Sequence, residues 1–158
     1  MIVGQEESAK PKRIIAVSSG GGHWVQLLRL RPAFAEHAVT YVTVNRAYEQ
    51  DVAGERLRVV LDATRWNKVR LVISTLQILH ILLTERPHVV ISTGAAPGYL
   101  AIRLGKLLGS RTVWIDSIAN VEELSLSGQK VGPYADLWLT QWPELARSNG
   151  PHYEGSVL

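Results

Sequence analysis

A doubly wound α/β fold, a parallel sheet with helices on both faces, is predicted by three observations. Short runs rich in Val, Ile and Leu alternate with longer helical patterns along the chain. Several of these runs are almost continuously apolar, as strands buried on both faces are. Two of them, ending near Ser19 and Thr93, lead directly into glycine-containing loops that open helices. Such alternation favours right-handed crossovers within one parallel sheet, and ligands of such sheets bind at the carboxyl ends of the strands.

The elements follow in order. Residues 1–12 are polar and mixed in charge, with Pro11 near their end and no apolar segment of signal-peptide length, so they are read as a flexible leader. Residues 13–158 are read as a single domain, since 158 residues suffice for one real core and are too few for two ordinary ones. Strands are expected at Arg13–Ser19, Val39–Asn45, Arg58–Ala63, Val89–Thr93, Arg111–Ser117 and Ala135–Gln141. Helices are expected at Gly22–Glu36, Asn67–Glu85 and Pro97–Leu108. Arg86-Pro87 and Leu108-Gly109 supply the stops for the second and third helices. No internal repeat or low-complexity linker interrupts the pattern.

Composition narrows the chemistry. Apolar residues make up 46% and charged residues 20%, the balance of a soluble globular protein. The chain has no cysteine, which excludes disulfides and Cys-ligated metal sites and fits a reducing, cytosolic setting. The formal charge of +3 suits an anionic membrane surface or a phosphorylated substrate. No basic run exceeds two residues and no basic stripe carries interleaved aromatics, so no nucleic-acid partner is expected. Residues 69–83 are apolar around most of a helix, yet fall short of the roughly 20 residues that span a bilayer. This helix either packs between the sheet and other elements or lays one face against a membrane or partner.

The first loop reads Ser18-Ser19-Gly20-Gly21-Gly22-His23. A strand entering glycines before a helix aims free backbone N–H groups at whatever lies above it, and glycine lets an anion approach the main chain. The loop lacks the Gly-Lys-Ser/Thr ending of a Walker loop. It also has Val25 where the dinucleotide fingerprint needs its third glycine, and Asn45-Arg46 where an acidic residue is needed. A plain strand–helix turn is the alternative to a phosphate site. The second loop, Ser92-Thr93-Gly94-Ala95-Ala96-Pro97-Gly98, has the same design, with Pro97 suited to a first helical turn. Two such loops at one end of a parallel sheet make a crevice. A third segment, Trp114 to Asn120, places Asp116 at a strand end, as a base, a sugar-hydroxyl ligand or a simple turn cap. His23 alone among five histidines lies in a glycine-rich loop, as a general base, a phosphate contact or a helix cap. No two histidines have the i, i+4 spacing of a helical metal site, so neither a metal nor another cofactor is expected.

Five segments carry a family resemblance in order: the two loops, Ser125-Leu126-Ser127-Gly128-Gln129-Lys130, Ala135 to Leu145, and Tyr153-Glu154-Gly155-Ser156-Val157-Leu158. Together they resemble the N-terminal half of a GT-B glycosyltransferase. The likeness is greatest to the anchor-subunit family of two-part transferases. That family includes the membrane-recruiting subunit of the dolichol-pathway N-acetylglucosaminyltransferase and bacterial relatives in capsule and exopolysaccharide synthesis. The resemblance implies a Rossmann-like sheet and a catalytic unit split over two polypeptides. It implies transfer of a sugar, such as glucuronic acid or N-acetylglucosamine, from a UDP-sugar to a polyprenyl-diphosphate-linked saccharide. The donor-binding partner would be a separate C-terminal-half subunit docking on Val157 and Leu158. Gly20, Gly21 and Gly22 would hold the acceptor diphosphate, with Gly94, Ala95, Ala96 and Gly98 as the second wall. His23 or Asp116 would deprotonate the acceptor hydroxyl.

Two departures stand out. The eukaryotic branch has an N-terminal membrane helix where this chain has a polar leader. Peripheral attachment to the cytosolic face of the plasma membrane would then fall to the helix around Leu71–Leu83, to Arg29, Arg31, Arg65, Lys68 and Arg70, and to Trp66. Triglycine in place of diglycine also shifts the loop before His23 by one residue. Two other readings remain open: a non-catalytic scaffold recruiting the catalytic subunit, and a stand-alone nucleotide-binding domain.

Overall fold

The computed structural model describes residues 10–157, so residues 1–9 of the expected leader and Leu158 lie outside the described residues. Seven strands form one parallel sheet: β1 (Arg13–Val17), β2 (Ala38–Thr43), β3 (Arg56–Val59), β4 (Val89–Ser92), β5 (Arg111–Ile115), β6 (Leu137–Thr140) and β7 (His152–Tyr153). Their order is β3-β2-β1-β4-β5-β6-β7. The chain reverses its direction of travel between β1 and β4, the topological switch point at which such sheets bind ligands. This is the Rossmann-like parallel sheet that the sequence predicts.

β1 shows why both faces must be covered. Ile15 and Val17 point to one side, where they pack with Ile78 of α2 (Lys68–Glu85), Ile102 of α3 (Ala95–Leu107) and Val131 of α4 (Leu126–Val131). Ile14 and Ala16 point to the other, against Trp24 and Leu27 of α1 (Gly22–Arg29) and against Phe34. Strand alternation thus builds two cores, one per face.

Two elements depart most from expectation, each for a physical reason. The helix expected to reach Glu36 ends at Arg29 and continues as a 3-10 turn over Arg31–Phe34. Pro32 has no N–H to donate back to Leu28, so the α-helical ladder cannot pass it. The third strand lies at Arg56–Val59 rather than at 58–63, because its partner β2 stops at Thr43, paired with Val59. As an edge strand it is also largely exposed, so its apolar content was a poor guide to its limits. The short α4 and β7 were not expected. α2, by contrast, ends where Arg86-Pro87 predicts, with Arg86 in a left-handed conformation (φ 46°).

Opposite charges meet at the amino end of the sheet. Glu85 sits in the last turn of α2, where the helix dipole disfavours an anion. Arg56 (2.8 Å) and Arg58 (2.9 Å) compensate it from β3, while Arg13 Nε donates to the Glu85 and Arg86 carbonyls. Asp136 pairs with Lys106 and accepts from Thr112 N (3.0 Å) and Thr112 Oγ1 (3.2 Å), bracing β5 against β6.

The Lys106 hydrogen bond, helped by those of Thr112, holds the Asp136 carboxyl below its ordinary value, against a smaller opposing effect of burial. A lowered native pKa stabilises the fold above the unfolded-state value, near 4, and that contribution disappears as pH falls through the native one. Asp136→Asn should therefore lower the midpoint of urea unfolding at pH 7 and change it little at pH 3. An equal loss at both pH values would contradict this assignment.

Candidate functional site

The β1 and β4 loops meet over the switch point and are tied by two reciprocal hydrogen bonds. His23 Nδ1 lies 2.9 Å from the Thr93 carbonyl oxygen, and Thr93 Oγ1 donates to the His23 carbonyl at 2.7 Å. A carbonyl can only accept, so Nδ1 carries a proton, and in the neutral form of the ring the lone pair is on Nε2. Nε2 has no hydrogen-bond partner among the described residues. The contact is close enough to dictate a neighbour: a Cβ on Gly94 would stand 2.5 Å from His23 Nδ1, and Gly94 has φ +138°. Ala95 follows with φ 66°, a left-handed conformation uncommon for a residue bearing a Cβ.

The glycines have different tasks. Gly21 (φ +60°) precedes α1 as its cap residue, and its N–H donates to the Tyr48 hydroxyl at 2.9 Å. Tyr48 is stacked on buried Trp24 with 4.8 Å between ring centroids, and Trp24 Nε1 donates to Asp51 at 2.8 Å. One of the three amides expected to face an anion is therefore occupied. The amides of Gly22 and His23, in the first turn of α1, have no intrahelical acceptor. In the second loop the Gly94 amide donates to Ser92 Oγ (3.1 Å), while Ala95 and Ala96 open α3 without a side-chain cap. Gly98 is buried and serves packing: a Cβ there would overlap Ser92 Oγ.

Asp116 is 1% exposed and its carboxylate is saturated. Oδ1 accepts from Ser125 Oγ (2.6 Å) and Trp114 Nε1 (3.2 Å); Oδ2 accepts from Ser125 N (2.9 Å) and Asn120 Nδ2 (3.2 Å). Ser125 also caps α4 by accepting from Gly128 N at 2.9 Å, and a Cβ on Gly128 would meet Asp116 Oδ1 at 2.5 Å. The Asp116 carbonyl accepts from two buried amides, Gln26 Nε2 (3.2 Å) and Gln141 Nε2 (3.0 Å). Gln26 Oε1 then accepts from Ile118 N (3.1 Å), and Gln141 Oε1 from Val157 N (2.7 Å). The structure thus brings His23, the second loop, Asp116 and the Val157 segment to one end of the sheet. Gln26, Gln141, Tyr48 and Thr93 were not singled out in the sequence. Only Gln26 had a usable signal, a polar residue on the inward face of an amphipathic helix.

Among the described residues no helix is long and apolar enough to cross a membrane. The outer surface of α2 is nonetheless apolar, with Val69, Val72, Ile73, Leu76 and Leu83 exposed and Trp66 just before it 80% exposed.

A seven-stranded parallel sheet with this strand order and helices on both faces defines the class: a Rossmann-like domain of the N-terminal type found in GT-B glycosyltransferases. The chain superposes on MurG from Acinetobacter baumannii with a TM-score of 0.72 at 13% identity, covering 87% of this chain and 44% of that one. It is similar to the UDP-N-acetylglucosamine 2-epimerase of Rickettsia bellii with a TM-score of 0.62 at 11% identity, covering 83% and 39%. The likeness at these identities is one of fold, and this chain spans less than half of either solved chain. Residues 35–157 match the model of the family "Oligosaccharide biosynthesis protein Alg14 like", and the chain belongs to that family. The match includes the second loop, Asp116 and Gln141; the triglycine loop precedes it. Among curated relatives, the UDP-N-acetylglucosamine transferase subunit ALG14 of Eremothecium gossypii is 28% identical over 169 residues, covering 87% of this chain and 75% of that protein. The corresponding subunit of Schizosaccharomyces pombe is 49% identical over 49 residues, covering 31% of this chain and 22% of that one.

The His23–Thr93 junction makes a direct prediction. Gly94→Ala adds both a clash with the imidazole and an unfavourable φ, which should cost about 1–3 kcal/mol of stability. It should also change the nitrogen shifts of the His23 ring in NMR spectra. Unchanged ring shifts would show that Gly94 does not seat the imidazole.

Proposed function

We propose that this chain is the acceptor-side subunit of a two-component glycosyltransferase. The reading moves a sugar from a UDP-sugar, N-acetylglucosamine or glucuronic acid among the candidates, to a polyprenyl-diphosphate-linked saccharide. The setting is capsule or exopolysaccharide synthesis at the cytosolic face of the plasma membrane. A separate donor-binding subunit completes the active site. The observation that carries the reading is the His23–Thr93 junction, which fixes the imidazole through Nδ1 and leaves Nε2 without a partner among the described residues, between two uncapped helix N-termini.

His23 is the proposed base. Its Nε2 takes the proton of the acceptor hydroxyl as that oxygen bonds to the anomeric carbon, and UDP departs with the electron pair of the broken bond. The Gly20, Gly22, Ala95 and Ala96 amides lie on the two walls facing the acceptor diphosphate. Charge developing on the leaving UDP is left to the partner to stabilise. Asp116 is assigned a positioning role, since each carboxylate oxygen already holds two donors. Gly21 and Gly98 likewise support the walls and do not contact ligand. Val157, anchored by Gln141 at the crevice end of the sheet, supports partner docking there together with Leu158. Peripheral membrane attachment is supported by the exposed α2 stripe, with Trp66 beside it and Arg65, Lys68 and Arg70 around it.

In the reconstituted two-subunit enzyme, His23→Ala should lower turnover by roughly 10²–10⁴-fold while leaving co-purification of the partner unchanged. Unchanged turnover would favour a recruiting scaffold, and tight UDP binding by this chain alone would favour a nucleotide-binding domain. For the membrane face, Ile73→Asp combined with Leu76→Asp should abolish co-sedimentation with anionic vesicles without altering thermal unfolding, as both residues are exposed. Retained sedimentation would remove α2 from that role.

A further inference from the structure

Gln141 is buried at the carboxyl end of β6, one residue beyond Thr140, and its amide is used on both sides. Nε2 donates to the Asp116 carbonyl at 3.0 Å, and Oε1 accepts from Val157 N at 2.7 Å. The main chain of the same residue takes part, since Ser156 Oγ donates to the Gln141 carbonyl at 2.7 Å. Residues 152–156 are exposed, and among the described residues every hydrogen bond of Ser156 and Val157 goes to Gln141.

Space filling does not call for glutamine at this position. A buried amide is costly unless it is paired, and methionine has a similar volume without that cost. Holding Val157 alone does not call for it either, because a carboxylate oxygen would accept equally well. What requires the amide is a donor on one side and an acceptor on the other. Turned over, it would set Nε2 against the Val157 N–H and Oε1 against the Asp116 carbonyl, a repulsive contact on each side.

The Asp116 carbonyl carries the connection onward. Its second donor is Nε2 of Gln26 at 3.2 Å, and Gln26 is also buried. Gln26 lies three residues after His23 on α1, so the two are neighbours on one side of that helix. Gln26 Oε1 accepts from Ile118 N at 3.1 Å, and Trp142 Nε1 donates to the Ile118 carbonyl at 2.8 Å, which ties the loop after β5 to both α1 and the end of β6. Three hydrogen bonds thus run from Val157 N, through two buried glutamines and one carbonyl, to the helix that carries the proposed base.

We infer that Gln141 is a positioning residue for sugar transfer. It holds the Ser156-Val157 segment at a fixed place relative to His23, so that a partner subunit docked on Val157 presents its donor sugar to the acceptor hydroxyl in reacting geometry. The inference rests on the acceptor-side reading proposed above, with Val157 in the docking surface. Gln141 touches neither sugar nor base and acts through Asp116 and Gln26. A reaction centre divided between two chains depends on such a link, because a misplacement of about 1 Å can lower the rate about 10²-fold.

The test uses the reconstituted two-subunit enzyme at saturating partner and substrates. Gln26→Met should lower kcat about tenfold or more while the acceptor KM and the partner affinity change less than about twofold. Gln141→Met should lower kcat to a similar extent and also weaken partner binding, because the Val157 anchor is lost with it. Both act through one carbonyl, so the double variant should lose no more kcat than the more damaged single one. A purely structural role would lower the unfolding temperature of each variant without this kcat loss at temperatures where the protein is folded. Val157→Pro removes the N–H that Gln141 accepts, in a segment outside the core, and should lower kcat about tenfold at saturating partner even if the buried variants fail to fold. Wild-type kcat in Gln141→Met or Val157→Pro with the partner bound, or multiplicative losses in the double variant, would overturn the inference. A wild-type pair that transfers no sugar, or that is indifferent to His23→Ala, would instead reject the acceptor-side reading. Sensitivity to His23→Ala with indifference to Gln141→Met and Val157→Pro rejects the positioning role alone.

Discussion

The paired hydrogen bonds between His23 and Thr93 join the two loops that the sheet topology brings together, and the surrounding sequence is arranged to permit that contact. Parallel strands on either side of a switch point send their helices to opposite faces, so the loops after β1 and β4 diverge unless something holds them. Here the holding group is itself polar and reactive. The imidazole can approach the Thr93 carbonyl only because Gly94 has no Cβ, and α3 can begin there only because Gly98 lets its backbone lie against Ser92. From the other side, Tyr48 fixes the Gly21 amide and stacks on Trp24, so the start of α1 is set before the histidine is reached. Each support is buried or half-buried, which makes the position of His23 a property of the core.

A second layer of polar contacts fixes the rest of the crevice. Burying an unpaired amide costs about 1–3 kcal/mol in typical proteins, and an unpaired carboxylate costs far more. The side chains of Gln26, Gln141 and Asp116 avoid that penalty by satisfying one another's surroundings, with the Asp116 carbonyl as their common acceptor. The result is a rigid bracket linking α1, the segment after β5, the end of β6 and the segment at Val157. Asp116 contributes most by being saturated: with four donors on its carboxylate it holds α4 against the sheet end. The network therefore links α1, which carries His23, to the Val157 segment where the partner is proposed to dock.

Much of this was legible in the sequence, for reasons that also explain what was not. Strands buried on both faces read as apolar runs, so β1, β2, β4 and β5 stand close to their expected places, and glycine loops after two of them locate the crevice. The edge strand β3 and the two-residue β7 escape this logic, because pairing with a neighbour defines them more than their own burial does. At the site, His23 was visible through its glycine setting. The alternatives for Asp116 were not separable, because a carboxylate after a strand looks alike whether it faces solvent or accepts four internal donors. Gln26 and Gln141 act on partners 90 and 25 residues away, a separation at which sequence pattern carries no information on side-chain contact.

Charge placement gives the final step of synthesis. At the amino end of the sheet, cations are matched to acids: Glu85 takes two arginines and Asp136 takes Lys106. These pairs stabilise the fold modestly. Along a groove on α3 beside Ala96, Arg65, Arg103 and Lys130 line a wall without acidic residues. The local field along this wall depends on the arrangement of a few side chains, and little on overall basicity.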